Sequence, residues 1–295
     1  MHDILLSILL GIIEGLTEFL PVSSTAHLRI AEELLGISLS SGFWKMYSIV
    51  IQLGAILCLP IYFGPRLAQF FRSFPRGERG DRTALNHPLT LVAVAFVCTA
   101  VPSYLLTKVI GKNLESLTVM GWALLVGGIV MWMVDARYGT PGPGGRYQTE
   151  RMEDMSMSQA VWIGICQIAS AVFPGTSRSM STIAAGQLAG MSRPAALEFS
   201  FFLSFPTMMA ATLYTLFRTF HPKGPAAASE LGAMPANAHE WIVLIIGFVV
   251  SFFVALGVVA WFMHWVRQKG FTPFAIYRIA LGILVLAWVW KGHVR

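Results

Sequence analysis

Five residues of this chain combine charge, nucleophilicity and spacing in a way that points to phosphoryl transfer: Glu14, Glu18, Ser24, His27 and Arg178. Glu14 and Glu18 are four apart in one apolar run, so on a helix their carboxylates share a face. Pro21 closes that run, which puts both acids in the last turns of the helix, where the dipole is negative and disfavours anions. A cation has to offset them. Arg178 is one candidate and a divalent metal is the other. Two carboxylates, with water or phosphate oxygens completing the shell, suit Mg²⁺ or Ca²⁺. A Glu-x-x-x-Glu pair is common on solvated helices, so the pair alone carries little weight.

The run Val-Ser-Ser-Thr-Ala-His, residues 22–27, then opens a second short helix. Ser23 and Ser24 are N-cap candidates, and the free N–H groups beyond a cap form an anion site. Pro-Gly-Thr-Ser-Arg-Ser, residues 174–179, supplies the same device again. There Gly175 allows close backbone approach, and Arg178 offers a planar, permanently charged fork to phosphate oxygens. His27 lies three residues beyond Ser24, a separation that brings an imidazole near a serine hydroxyl as general base or acid. A serine cluster is more often just a cap, and a lone histidine is usually structural. Their convergence with two acids and an arginine in apolar surroundings makes phosphoryl transfer the natural class. Left unpaired at membrane depth, Glu14, Glu18 and Arg178 would together cost roughly 7–10 kcal/mol, more than a structural brace has reason to bear.

The elements that must position these residues are membrane helices. Of the 295 residues, 55% are apolar and only 12% charged, and mean hydropathy is +0.64. A soluble domain carries about 25% charged residues, so this chain lacks the polar surface to coat a globule in water. Six stretches, 44–63, 89–107, 117–134, 195–217, 241–265 and 274–290, are long and apolar enough to span about 30 Å of hydrocarbon. Two others are broken. Residues 4–20 end at Pro21 and continue as a short run to about 35, and residues 158–173 end at Pro174 and continue to about 189. Two half-length helices joined at a proline-containing tip predict a re-entrant hairpin, tolerated at depth only where protein or water surrounds the break.

The broken segments align at an offset of 153, with Gly11 on Gly164, Glu14 on Gln167, Pro21 on Pro174, Ser23 on Thr176 and Ser24 on Ser177. Each half, 1–135 and 158–295, therefore reads as one re-entrant hairpin plus three spanning helices, joined by a cytoplasmic linker at 136–157. An odd number of crossings sends the second half in from the opposite side. The expectation is an all-α integral membrane protein, a single membrane domain built as an inverted repeat whose hairpin tips meet near the midplane.

The formal charge of +6 does not indicate nucleic acid, because the basic residues sit in short loops, where anionic lipid headgroups are their partners. Arg66, Arg72, Arg76, Arg79, Arg82, Arg137, Arg146, Arg151, Arg193, Arg267 and Lys269 fall on one side, and Lys45, Lys108, Lys112, Arg218, Lys223, Lys291 and Arg295 on the other. The positive-inside rule makes the first side cytoplasmic and leaves both termini outside. Cys58, Cys98 and Cys166 lie in apolar segments without metal-like spacing and read as small core residues. The N-terminus has no basic region before its apolar stretch, so a cleaved signal peptide is not expected.

Residues 11–27, Gly-Ile-Ile-Glu-Gly-Leu-Thr-Glu-Phe-Leu-Pro-Val-Ser-Ser-Thr-Ala-His, resemble the N-terminal signature of bacterial undecaprenyl-diphosphatases, the bacitracin-resistance family. Residues 174–179 resemble its second signature, and the weaker runs Glu-Phe-Ser-Phe, 198–201, and Pro-Phe-Ala-Ile-Tyr-Arg, 273–278, are similar to further family segments. The resemblance implies divalent-metal-dependent hydrolysis of undecaprenyl diphosphate to the monophosphate, in the bacterial inner membrane, at a site open to the periplasm. This recycles the carrier lipid of peptidoglycan synthesis. Glu14 and Glu18 would hold metal or activate substrate, Ser24 and His27 would supply the nucleophile and proton chemistry, and Arg178 would bind the diphosphate. Ser23, Thr25, Gly175, Thr176, Ser177, Ser179 and Thr182 would line the site. Bacitracin would compete for the same lipid, and a homodimer is left open. Ala26 and Met180 stand where the family has glycine; the bulkier Met180 is expected to narrow the pocket.

Two rival readings differ in kind. A lipid transporter or flippase shares the inverted-repeat architecture but needs no nucleophile and base in contact. The type-2 phosphatidate phosphatases would place a histidine six residues after the arginine, where this chain has Ala184.

Overall fold

The computed structural model describes residues 2–37, 42–78, 80–106, 116–141, 147–221 and 233–292. Arg79, Lys108, Lys112, Arg146, Lys223 and Arg295, the end of the expected 89–107 span and part of the expected linker lie outside the described residues. The described chain is helical: α1 (His2–Thr17), α2 (Ser24–Leu35), α3 (Gly42–Tyr62), α4 (Gly64–Ser73), α5 (Pro88–Leu105), α6 (Leu117–Tyr138), α7 (Met157–Val172), α8 (Arg178–Leu188), α9 (Arg193–Phe220), α10 (Ala238–Lys269) and α11 (Thr272–Trp290). Six of them, α3, α5, α6, α9, α10 and α11, are long and apolar enough to cross a membrane. The protein is an all-α, multi-pass membrane protein.

Local chemistry sets the ends of these helices. Ser116, Ser192 and Asn237 cap α6, α9 and α10 by accepting from Val119, Ala195 and Glu240 N–H. Ser156 and Gln159 form a reciprocal capping box that starts α7. The fifth span runs further than its apolar core at 241–265, because its cap lies at Asn237 and the helix continues to Lys269. Helix α4 is not foreseen by the apolar pattern. It is a short amphipathic helix between α3 and α5, with Phe70 buried and Phe71 67% exposed beside Arg72.

The two broken segments pack in parallel ways on opposite halves. Helix α1 lies against α10, and α7 lies against α5. At the first contact a Cβ on Gly11 would meet the Gly247 carbonyl at 2.9 Å and Val250 at 3.2 Å. At the second, a Cβ on Gly164 would collide with Ala95 and meet Cys98 at 2.9 Å. Ala95 and Cys98 stand 152 positions before Gly247 and Val250, close to the 153 that separates Gly11 from Gly164. The same exchange relates the contact of α3 with α10 to that of α9 with α5, while α6 and α11 pair with each other.

Polar contacts gather the links of one face. Asp135 is fully buried at the end of α6 and accepts from Arg193 Nε at 2.7 Å, Gln187 Nε2 at 3.0 Å, Phe271 N–H at 3.0 Å and Thr272 Oγ1 at 3.1 Å. Arg66 joins Glu153 to Glu198, and Arg82 donates to Asp154 at 2.7 Å. The loops after α3, α6, α8 and α10 are thus tied together. On this face Arg66 lies on α4, Arg82 in the loop after it, Arg151 before α7 and Arg193 at the start of α9.

Candidate active site

Both hairpin tips end in a serine with an unusual backbone. Ser23 has φ 74° and Ser177 φ 72°, a region that side-chain-bearing residues seldom occupy. Each caps the helix that follows: Ser23 Oγ accepts from Ala26 N–H at 3.4 Å, and Ser177 Oγ from Met180 N–H at 3.3 Å. Strain of this kind costs about 1–3 kcal/mol per residue and persists where the surroundings enforce it. The equivalence corrects the 153-residue alignment beyond the prolines. Ser23 stands two positions after Pro21, but Ser177 stands three after Pro174, so Ser23 matches Ser177 and Ser24 matches Arg178. The additional residue lies at the Gly175 turn. Gly175 has φ +92°, and a Cβ there would stand 2.7 Å from Met120 Cα and 2.8 Å from its carbonyl oxygen. Only glycine fits.

Ser24 and Arg178 are therefore the first residues of the two half-helices, and both reach Glu18. The Ser24 hydroxyl donates to Glu18 Oε2 at 2.6 Å, and Arg178 Nη2 donates to Oε1 at 3.4 Å. The other bonds of Arg178 are long as well: Nη1 to the Ser200 carbonyl at 3.3 Å and Nη2 to Met208 Sδ at 3.4 Å. Its Nε has no partner among the described residues, and the guanidinium lies 5.8 Å over the Phe19 ring. The arginine is held in place with hydrogen-bonding capacity to spare. Glu18, Ser23, Ser24, Thr25, Gly175, Ser177 and Arg178 all border one cavity of about 170 Å³, together with Gln52, Ser170 and Met208.

The other expected residues take different places. Glu14 lies one turn below Glu18, is 1% exposed, and its Oε1 has no hydrogen-bond partner among the described residues. The arginine offsets Glu18 and leaves Glu14 uncompensated. Ser179 and Thr182 are buried behind the cavity; Ser179 Oγ donates to the Glu18 carbonyl at 3.4 Å, and Thr182 shares a 2.6 Å hydrogen bond with Ser200. Thr176 and Met180 face a separate apolar groove against α6. The expected narrowing by Met180 thus falls in that groove and leaves the serine–arginine cavity untouched.

His27 departs most from its expected contact. Its Nδ1 donates to the Ser23 carbonyl at 2.7 Å, which leaves Nε2 to accept from the Tyr277 hydroxyl at 2.6 Å. Both ring nitrogens are engaged away from Ser24, whose hydroxyl is held by Glu18. Two positions three apart allow a Ser–His contact in a first helical turn, but a carbonyl four residues back competes for the imidazole and wins.

Tyr277 and Arg278 on α11 are site neighbours that the sequence reading included in the family-like run 273–278 without giving them a role. Arg278 is a charge inside an apolar span, the same signal that singles out Arg178. Gln52, Ser170 and Met208 carry no such signal, since a lone polar or thioether side chain in a membrane helix has no distinctive spacing.

The fold and site together define a polytopic membrane protein whose two helix N-termini, a serine and an arginine, converge on one intramembrane carboxylate. The profile of the family described as "Bacitracin resistance protein BacA" matches residues 7–284, and the chain belongs to that family. It is 64% identical over 291 residues to a protein of Koribacter versatilis (strain Ellin345), covering 99% of this chain and 100% of the relative. It is 40% identical over 291 residues to one of Rhizobium etli (strain CIAT 652), covering 98% of each. It is 38% identical over 295 residues to one of Thermoanaerobacter sp. (strain X514), covering 100% of each. Each of the three relatives bears the name undecaprenyl-diphosphatase.

Proposed function

We propose that this chain hydrolyses undecaprenyl diphosphate to undecaprenyl phosphate and inorganic phosphate, with Ser24 as the attacking group. The 2.6 Å bond from Ser24 Oγ to Glu18, with Arg178 on the other oxygen of the same carboxylate, carries this reading. Ser24 Oγ attacks the terminal phosphorus and its proton passes to Glu18. The bridging P–O bond breaks, and the lipid monophosphate leaves with the proton. Water then cleaves the phosphoserine, releasing phosphate and restoring the hydroxyl. Arg178 moves from its long contacts to the phosphoryl oxygens, and the N–H groups at the starts of α2 and α8 add to the stabilisation.

The site residues fit a divalent cation. Glu14 offers a buried oxygen without a partner, and Glu18 lies one turn away. Among the described residues no group of three or more His, Cys, Asp or Glu side chains converges, so these two carboxylates would be the protein's share. When bound, Mg²⁺ or Ca²⁺ would neutralise charge on the phosphate oxygens.

The exchanged packing of α1 on α10 and α7 on α5 supports an inverted repeat, the architecture in which broken helices aim their N-termini at an anionic group near the midplane. The tied, arginine-bearing face would be cytoplasmic in the bacterial inner membrane, the termini periplasmic, and the site open to the periplasm. Bacitracin would then compete for the same lipid.

Purified protein supplied with undecaprenyl diphosphate should release one phosphate per lipid. Rapid quenching should leave acid-stable label on the Ser24 peptide. Lipid movement between leaflets without phosphate release would replace the reading by a transporter, and a base-stable, acid-labile adduct on His27 would move the nucleophile.

A further inference from the structure

Arg278 is the largest fully buried side chain among the described residues, and among them it makes no ion pair. Its Nη1 donates to the Pro21 carbonyl at 3.0 Å, and its Nη2 donates to the Ala123 carbonyl at 3.0 Å and the Gly175 carbonyl at 3.1 Å. Among the described residues its Nε has no partner and no carboxylate lies within ion-pairing distance. Pro21 belongs to the tip of the first hairpin, Gly175 to the tip of the second, and Ala123 to α6. Each tip carbonyl stands two residues before a strained cap, Ser23 or Ser177. One guanidinium therefore sets the distance between the helix starts that carry Ser24 and Arg178. A rigid, planar fork can hold three acceptors on separate elements in one register, whereas an ammonium on a flexible stem cannot fix the same angles. A neutral amide could brace two carbonyls without placing an unpaired charge in the membrane. The positive charge behind the tips adds to the two N-termini in attracting an anion between them.

We propose that Arg278 is a positioning residue of this site, clamping the Pro21 and Gly175 carbonyls so that Ser24 and Arg178 face each other across the cavity. Its role in catalysis rests on the phosphatase reading, whereas the clamp itself does not.

Three variants of the full-length protein test it: Arg278→Lys, Arg278→Gln and Gly127→Ala. The last leaves the arginine in place but adds a Cβ that collides with its Nη2. Among molecules that elute as folded monodisperse protein, kcat should fall by about tenfold or more while KM changes by less than about threefold. Combined with Arg178→Lys, the double variant should lose less than the product of the two single losses, since both act on one constellation. Wild-type kcat in folded Gly127→Ala, or strictly multiplicative losses, would overturn the proposal; Gly127→Ala decides alone if the Arg278 variants do not fold. Spin labels at Thr25→Cys and Ser170→Cys, with the native cysteines replaced, give a readout independent of activity. Their distance distribution should broaden when Gly127→Ala or Arg278→Lys is added, and an unchanged distribution would refute the clamp. A wild-type protein that releases no phosphate but whose labels still respond would refute the phosphatase reading and keep the clamp.

Discussion

Replacing Glu18 and His27 in turn separates two assignments of the proton acceptor. Glu18→Gln keeps the shape and an oxygen for Ser24 but removes the charge that would accept its proton in the proposed mechanism. General-base catalysis contributes roughly 10²–10⁴-fold, or about 2.7–5.4 kcal/mol. The same change strips Arg178 of its anionic partner, so kcat should fall toward the larger end of that range. His27→Gln acts differently. It removes the bonds to the Ser23 carbonyl and to Tyr277, neither of which touches the reacting oxygen. Two neutral hydrogen bonds are worth about 1–3 kcal/mol to folding. Only the fraction that loosens the strained Ser23 cap reaches the transition state, so kcat should fall by no more than about tenfold. Single-turnover phosphate release at saturating enzyme, normalised to the folded fraction, measures both. If His27→Gln loses as much as Glu18→Gln, histidine is the base and Glu18 an electrostatic neighbour.

Arg178→Lys should retain charge yet lose roughly ten- to hundredfold in turnover, about 1.5–3 kcal/mol for a charge-assisted bond; near wild-type turnover would reduce Arg178 to a counter-ion for Glu18. Excess chelator should abolish phosphate release and added Mg²⁺ or Ca²⁺ should restore it, whereas full activity with verified absence of metal would remove the cation from the scheme. Gly175→Ala forces a methyl against the Met120 backbone and a side chain into φ +92°, so the thermal midpoint and kcat should both drop; unaltered values would show that the tip can shift without consequence. Cysteines placed at Asp3 and Lys291 in an otherwise cysteine-free protein should react with an impermeant maleimide in intact spheroplasts. Labelling only after lysis would reverse the orientation.

The spans were legible because an apolar run long enough to cross a membrane has few other uses, and the hairpins because Pro21 and Pro174 interrupt such runs beside charged or hydroxyl residues. The cost of leaving the acids alone at depth called for a cation, with Arg178 one of two candidates; its contact with Glu18 is the structure's. The register beyond the prolines was not legible. A constant offset aligned Ser24 with Ser177, and only the positive φ of Ser23 and Ser177 reveals that the turn at Gly175 contains one residue more. The partner of His27 was hidden for another reason. Local spacing sees the first helical turn, while Tyr277 arrives from α11, 250 positions away. Helix α4 escaped because ten residues with four polar or basic side chains, Arg66, Gln69, Arg72 and Ser73, are too short and too polar to read as a span.

The corrected register explains how two similar tips make one unsymmetrical site. The position directly after the strained serine cap holds a hydroxyl in one half, at Ser24, and a guanidinium in the other, at Arg178. One turn before the prolines the same divergence appears, with Glu14 matched by Gln167 and Glu18 by Ala171. A site with carboxylates from both halves would gather four acids in low dielectric, where like charges repel strongly. One with arginine from both would lack a base. Placing the acids and the serine hydroxyl on one tip and the cation on the other lets Glu18 meet Arg178 while keeping the Ser24 hydroxyl on its second oxygen. Arg278 reaches the carbonyl of each tip from behind, so the charges that differ between the halves are held by the backbone feature they share.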